Sequence, residues 1–157
     1  MARRHGRAPR GQRLRASVPH GHWKTTTFVA GLRLTGVAAP FVLDGAMNRN
    51  AFEIYVDKVL APELRPGDVV IMDNLSSHKG PRVRELIEGA GASLLYLPPY
   101  SPDFNPTEKA FAKLKALLRK TAARTVQALW AAIGRLVDDF TPAECANYFT
   151  AAGYDAT

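Results

Sequence analysis

Acidic residues are scarce in this sequence and come late. No Asp or Glu precedes Asp44, and 14 acidic residues stand against 21 Lys and Arg, a net charge of +7 with a pI near 9.9. Such a balance disfavours an acidic, self-solvating chain and favours a polyanionic partner, because Lys and Arg neutralise phosphates and release their counterions. Cysteine occurs once, at Cys145, which excludes an internal disulfide and suits a small buried apolar residue in a reducing interior. No apolar run approaches the ~20 residues of a membrane span, and no hydrophobic stretch of signal-peptide type follows the basic start. The expectation is therefore a cytoplasmic protein without a membrane partner. No solenoid-length repeat and no heptad array is present. With 157 residues, 46% hydrophobic and 22% charged, the composition is that of one ordinary globular domain able to bury a core.

Six of the first fifteen residues are arginine, spaced by Gly6, Pro9 and Gly11 without apolar periodicity. Residues 1–20 read as a flexible basic arm, either one in which Arg7, Arg10 and Arg13 contact phosphate, with Lys24 just beyond it, or a solvated tail with no specific role. The domain proper takes residues 21–157. Trp23 to Leu32 and Val37 to Leu43 read as two antiparallel strands joined by a short turn. Asn48 or Asn50 can cap a helix over Ala51–Leu60, with Phe52, Tyr55, Val56 and Val59 on one face. Val69 to Met72 is a continuous β-branched run and reads as a strand buried on both faces. A helix from Pro81 to about Glu88 and a strand from Ser93 to Leu97 complete a strand–helix–strand unit with parallel strands. From Pro106 a helix should present Phe111, Leu114 and Leu118 to the core and Lys109, Lys113, Lys115, Arg119 and Lys120 outward. Thr125 should cap a helix with Val126, Leu129, Trp130, Ile133, Val137 and Phe140 inward, and Thr141-Pro142-Ala143-Glu144 is a capping pattern for the last helix.

Two acids stand out. Asp73 leaves the buried run at its carboxyl end, where open α/β sheets bind ligands. Glu108 opens a helix after Leu97-Pro98-Pro99-Tyr100-Ser101-Pro102-Asp103-Phe104-Asn105-Pro106-Thr107, a segment that its four prolines keep out of both strand and helix until Pro106. Carboxylates from separate elements are the usual ligands of Mg²⁺ or Mn²⁺ in phosphodiester chemistry. Taken singly, each has a bland account: a strand-ending Asx turn for Asp73, a favourable helix dipole for Glu108. Both together, within such constrained local sequences, favour metal ligation by Asp73 and Glu108. His78 and Lys79 follow Asp73 in a loop and are candidates for a DNA contact or for orienting a metal-bound water.

Met72-Asp73-Asn74-Leu75-Ser76-Ser77-His78-Lys79 and Tyr100-Ser101-Pro102-Asp103-Phe104-Asn105-Pro106-Thr107-Glu108 resemble the second and third acidic motifs of DDE transposases in the mariner-related bacterial insertion-sequence superfamily. Residues 6–11, 21–27 and 142–149 resemble the same group, so the likeness spans nearly the whole chain. It implies an α/β, RNase H-like mixed sheet flanked by helices and catalytic roles for Asp73 and Glu108 in a two-ion Mg²⁺ or Mn²⁺ site. It also implies DNA partners, namely transposon ends and target, and admits a homodimer. Members of that family carry a third acid, an Asp on the central first strand, upstream of the Gly-Arg-Ala-Pro-Arg-Gly stretch that here begins at residue 6. No acidic residue precedes it here; Asp44 reads more easily as part of a strand-ending turn, and family order implies an edge strand remote from Asp73. The resemblance therefore implies a domain lacking its first strand and inactive alone. The competing expectations are a non-catalytic DNA-binding or regulatory fragment and a nuclease acting on RNA–DNA hybrids, the latter opposed by the proline-rich motif.

Overall fold

The computed structural model describes residues 7–13, 15 and 25–154. Strand β1 (Thr26–Arg33) pairs antiparallel with β2 (Gly36–Asp44), and β3 (Val69–Met72) pairs parallel with β4 (Ser93–Tyr96). Among the described residues no strand joins the two pairs into one sheet. The helices are α1 (Arg49–Tyr55), α2 (Pro81–Gly89), α3 (Pro106–Thr121), α4 (Val126–Leu136) and α5 (Pro142–Thr150). Lys24, and with it the expected strand start at Trp23, lies outside the described residues, whereas Arg7, Arg10 and Arg13 are exposed.

The hairpin is the common wall of two cores. Alternate residues of its strands face opposite ways. Val29, Ala39 and Phe41 join Phe52, Tyr55, Val56, Val83, Ile87 and Leu94 on one side. Phe28, Leu32, Val37 and Val42 join Ala110, Leu114, Leu118, Ile133 and Phe140 on the other. A bulge sets the bend between them, Ala39 and Pro40 of β2 standing opposite Ala30 alone. Ala39 is fully buried at φ +48, an uncommon backbone for a residue with a side chain. Both of its polar backbone groups are nevertheless satisfied: its N–H donates to Glu63 Oε2 at 2.9 Å, and its carbonyl accepts from Tyr55 Oη at 3.0 Å. Burial pushes the Tyr55 phenol well above its ordinary range, so it stays a donor at all ordinary pH.

The helix expected over residues 51–60 starts two residues earlier, with the Asn48 side chain accepting from Ala51 N–H, and widens to a π-helical turn over Val56–Leu60. Gly91 at φ +80 closes α2, and the Ala92 N–H returns to the Ile87 carbonyl. Thr125 and Thr141 cap α4 and α5 as their sequences indicate, each accepting an N–H three residues on.

Three expectations need correction. β3 is covered on one face only: Val70 and Met72 pack on the first core, while Val69 and Ile71 are 54% and 39% exposed, no described element lying over that face. Trp130 is 39% exposed rather than buried, and Ala132 takes the buried place beside Ile133. Lys113 does not belong to the outer basic surface of α3. Its ammonium meets Glu144 Oε2 at 2.6 Å and the Asp139 carbonyl at 3.1 Å, because α5 packs against that side of α3. The Lys113 hydrogen bond holds the Glu144 carboxyl below the usual range, as Arg33 does for Asp68 at the mouth of β3. Both depressed carboxylates contribute stability that is complete above their unfolded-state values and is lost as pH falls through the folded ones. No described helix is long and apolar enough to cross a membrane.

The bulge gives a direct test. Tyr55→Phe keeps the ring and strands the Ala39 carbonyl, and is expected to cost about 1–3 kcal/mol. A denaturant midpoint equal to wild type would show that the bond does not hold the bulge.

Candidate active site

The two strands of the parallel pair end level with one another. Met72 stands opposite Tyr96, and the Leu97 N–H donates to the Met72 carbonyl at 2.8 Å, one step past the last strand pair. The segments that leave them, Asp73 to Ser76 and Leu97 to Pro102, line an open groove of about 410 Å³ together with Asn105 and Glu108. Asp73 and Glu108, with 34 residues between them in the chain (74 through 107), thus line one groove.

Each acid is positioned by its own local chemistry. Asp73 Oδ1 receives the Leu75 N–H at 3.4 Å, a weak Asx turn, and lies against His78 Nδ1 at 2.5 Å. The two atoms are close without the alignment a hydrogen bond requires, and the buried Nδ1 has no hydrogen-bond partner. The His78 ring is fixed from below by Phe52, stacked at 4.1 Å and 26°, and its backbone carbonyl accepts from Tyr96 Oη at 2.8 Å. His78 is thereby held beside Asp73, while Lys79 next to it is exposed.

Glu108 stands in the first turn of α3. Asn105 caps that helix, its Oδ1 accepting from Thr107 N–H at 3.1 Å and Thr107 Oγ1 at 2.6 Å, and Pro106 supplies a preset φ at the first helical position. Asp103, the rival acid, sits exposed in the short turn Pro102–Phe104 and does not line the groove; neither does Asp44, exposed at the end of β2.

The groove offers hard oxygen donors. Two carboxylates with neutral oxygens beside them suit a divalent cation of the Mg²⁺ kind, which commonly takes one or two carboxylates and leaves its other positions to water and substrate phosphate. Among the described residues no group of three His, Cys, Asp or Glu side chains converges on a cation position. Among the described residues the groove thus supplies two carboxylates, fewer than a complete two-ion centre uses.

Several lining residues carried no functional signal in the sequence beyond their place in the proline-rich motif, notably Ser101 and Asn105. Tyr100 is a separate case: it lines the groove at φ +57 with its side chain fully exposed. Phe52 could not have been found at all, since nothing in α1 announces that it will lie under His78.

The family described as DDE superfamily endonuclease matches residues 1–130. Among solved structures, the chain aligns with the Mos1 strand transfer complex at a TM-score of 0.65 and 17% identity, covering 100% of this chain and 51% of that one. It aligns with the Mos1 transposase catalytic domain with Raltegravir and Mg at 0.61 and 16%, covering 83% and 75%. With the catalytic domain of Mos1 mariner transposase the values are 0.59 and 14%, covering 85% and 82%. These likenesses establish the RNase H-like α/β fold. The chain spans about half the length of the Mos1 chain in the strand transfer complex. No curated protein matches it.

The cap that aims Glu108 can be tested without any ligand. Asn105→Ala is expected to destabilise the chain by about 1 kcal/mol and Asn105→Asp to retain most of that, read from chemical denaturation. Equal midpoints for Asn105→Ala and wild type would remove Asn105 as the helix cap.

Proposed function

This chain belongs to the DDE superfamily endonucleases, and we propose that it is the catalytic domain of a transposase, acting on DNA at transposon ends and target through divalent cations held by Asp73 and Glu108. The observation that supports the reading is that these two acids, from two separate sequence motifs, line one groove. The Mos1 structures add support, one being a strand transfer complex and others containing Mg or Mn. A divalent cation, when bound, supplies charge neutralisation at the phosphoryl group and an activated oxygen nucleophile. The chain's own share is positioning. Asp73 is steadied by the Phe52-backed His78, Glu108 by the capped start of α3, and Arg7, Arg10, Arg13, Lys24 and Lys79 contribute phosphate contacts along the strand.

With two carboxylates in the described groove, the chain by itself is expected to bind metal weakly and to be inactive alone. A second reading rests on the same count: a non-catalytic DNA-binding fragment, for which the exposed Lys115, Arg119 and Lys120 of α3 supply a surface independent of the acids.

Mn²⁺ titration of the full chain, followed by electron paramagnetic resonance, separates them. Binding of the ion should be lost in both Asp73→Asn and Glu108→Gln, with salt-sensitive DNA binding retained and no strand cleavage. Mn²⁺ binding indifferent to both substitutions would sink the shared-cation reading in favour of the DNA-binding fragment. Cleavage of DNA by wild type, abolished in Asp73→Ala, would uphold the transposase chemistry and overturn the expected inactivity.

A further inference from the structure

We infer that the turn closing α5 is a brace for Glu108, and that Tyr154 is the positioning residue of that brace, acting through the peptide between Phe104 and Asn105. The inference rests on the reading of the groove as a cation site and adds to it a residue from outside both acidic motifs.

Helix α5 (Pro142–Thr150) lies beyond residues 1–130 that match the family, and none of its residues lines the groove. It packs along α3, where Lys113 meets Glu144. The helix ends in a turn closed by two hydrogen bonds. Tyr154 N–H donates to the Phe149 carbonyl and Gly153 N–H to the Thr150 carbonyl, both at 3.0 Å, and Gly153 at φ +86 supplies the left-handed residue that this closure requires. The Tyr154 ring then meets Phe149 edge to face, with centroids 5.9 Å apart. The phenol is therefore fixed both by its own backbone and by its ring.

Two contacts carry this turn to Glu108, and they fall on either side of it in the chain. Tyr154 Oη donates to the carbonyl of Phe104, fifty residues away, at 3.0 Å, and Lys109 Nζ donates to the Ala151 carbonyl at 3.0 Å. Phe104 ends the short turn Pro102–Phe104, and its carbonyl belongs to the peptide of Asn105, whose side chain caps α3. Among the described residues, the other hydrogen bonds of Ser101 to Phe104 stay within three residues of the chain. The Tyr154 phenol is thus the hydrogen-bonding tie between the proline-rich turn and a distant element.

The Asn105 cap sets how Glu108 leaves α3, but a cap acts within one turn and cannot set where that turn stands against the Asp73 side of the groove. A tie from a separate helix can. Cations of the Mg²⁺ kind demand near-ideal ligand geometry, so a carboxylate held loosely by a fraction of an ångström loses affinity. A single exposed hydrogen bond adds little to global stability, so its loss should register in the cation site rather than in unfolding.

The test uses the full 157-residue chain. Tyr154→Phe keeps the ring against Phe149 and removes only the donor. Mn²⁺ binding, followed by electron paramagnetic resonance, should weaken by about threefold to tenfold, the range of one net hydrogen bond. Amide hydrogen exchange over residues 104–109 should quicken, with the hairpin, α4 and the denaturant midpoint as in wild type. Tyr148→Phe removes a different bond of α5, that to Glu144 Oε1, and should keep wild-type Mn²⁺ affinity. Mn²⁺ affinity unchanged in Tyr154→Phe, or an equal loss in Tyr148→Phe, would overturn the proposal and leave the cation reading intact. Absence of acid-dependent Mn²⁺ binding in wild type would remove the cation reading. Exchange then decides the brace: faster exchange over residues 104–109 in Tyr154→Phe upholds it as the hold on Glu108, and unchanged exchange removes it as well.

Discussion

The register of one short parallel strand pair determines the geometry of everything functional in this molecule. Met72 opposite Tyr96, extended by the hydrogen bond from Leu97 N–H to the Met72 carbonyl, ends both strands at the same level. Each chain must leave the sheet there, and the two departing segments become opposite sides of a groove. A slip of one residue would turn every side chain of β3 over, exchanging the packed Val70 and Met72 for the exposed Val69 and Ile71. The pair is short, so its register depends on the residues that anchor it: Leu94 buried in the first core, and Asp68 tied to Arg33 at 2.6 Å just before β3 begins.

That first core also supports the site from beneath. Phe52 is a core residue at 3% exposure and at the same time the surface on which the His78 ring rests. Asp73 is therefore steadied by packing as well as by its own turn, one contact removed from the fully buried Val56, Val83 and Ile87. Glu108 is coupled to the other core in a parallel way. Pro106 and Ala110 are buried around it, and α3 runs on through Leu114 and Leu118 against α4 and the hairpin. The bulged hairpin, shared by both cores, links the two supports.

The charge pattern follows a similar division. Several acids of this basic chain are matched to cations, as Asp68 is to Arg33, Glu88 to Arg84 and Glu144 to Lys113. Asp73 meets only a histidine, and Glu108 stands exposed at the positive end of a helix, where the dipole tolerates an anion without neutralising it. Negative charge held in this way, in a chain with a net +7, is what the proposed cation site draws on.

Much of this was legible in the residues alone, because it depends on neighbours in the chain. Proline at 106 after Asn105 announces a helix start, threonines at 125 and 141 announce two more, and the spacing of apolar residues gives the hairpin and the strand–helix–strand unit. Asp73 at a strand end and Glu108 at a helix start are likewise local facts. What failed was coverage. The continuous apolar run of β3 cannot say whether a second layer lies over its other face, and the spacing of α3 cannot say that α5 will take Lys113 out of the basic row. The sequence by itself determined the elements, their caps and the two acids, since backbone propensity and capping act over a few residues. Only the tertiary structure decided that those acids share a groove, that Phe52 braces His78 and that Tyr100 is held out at the rim, because each depends on how separate elements pack around a common core.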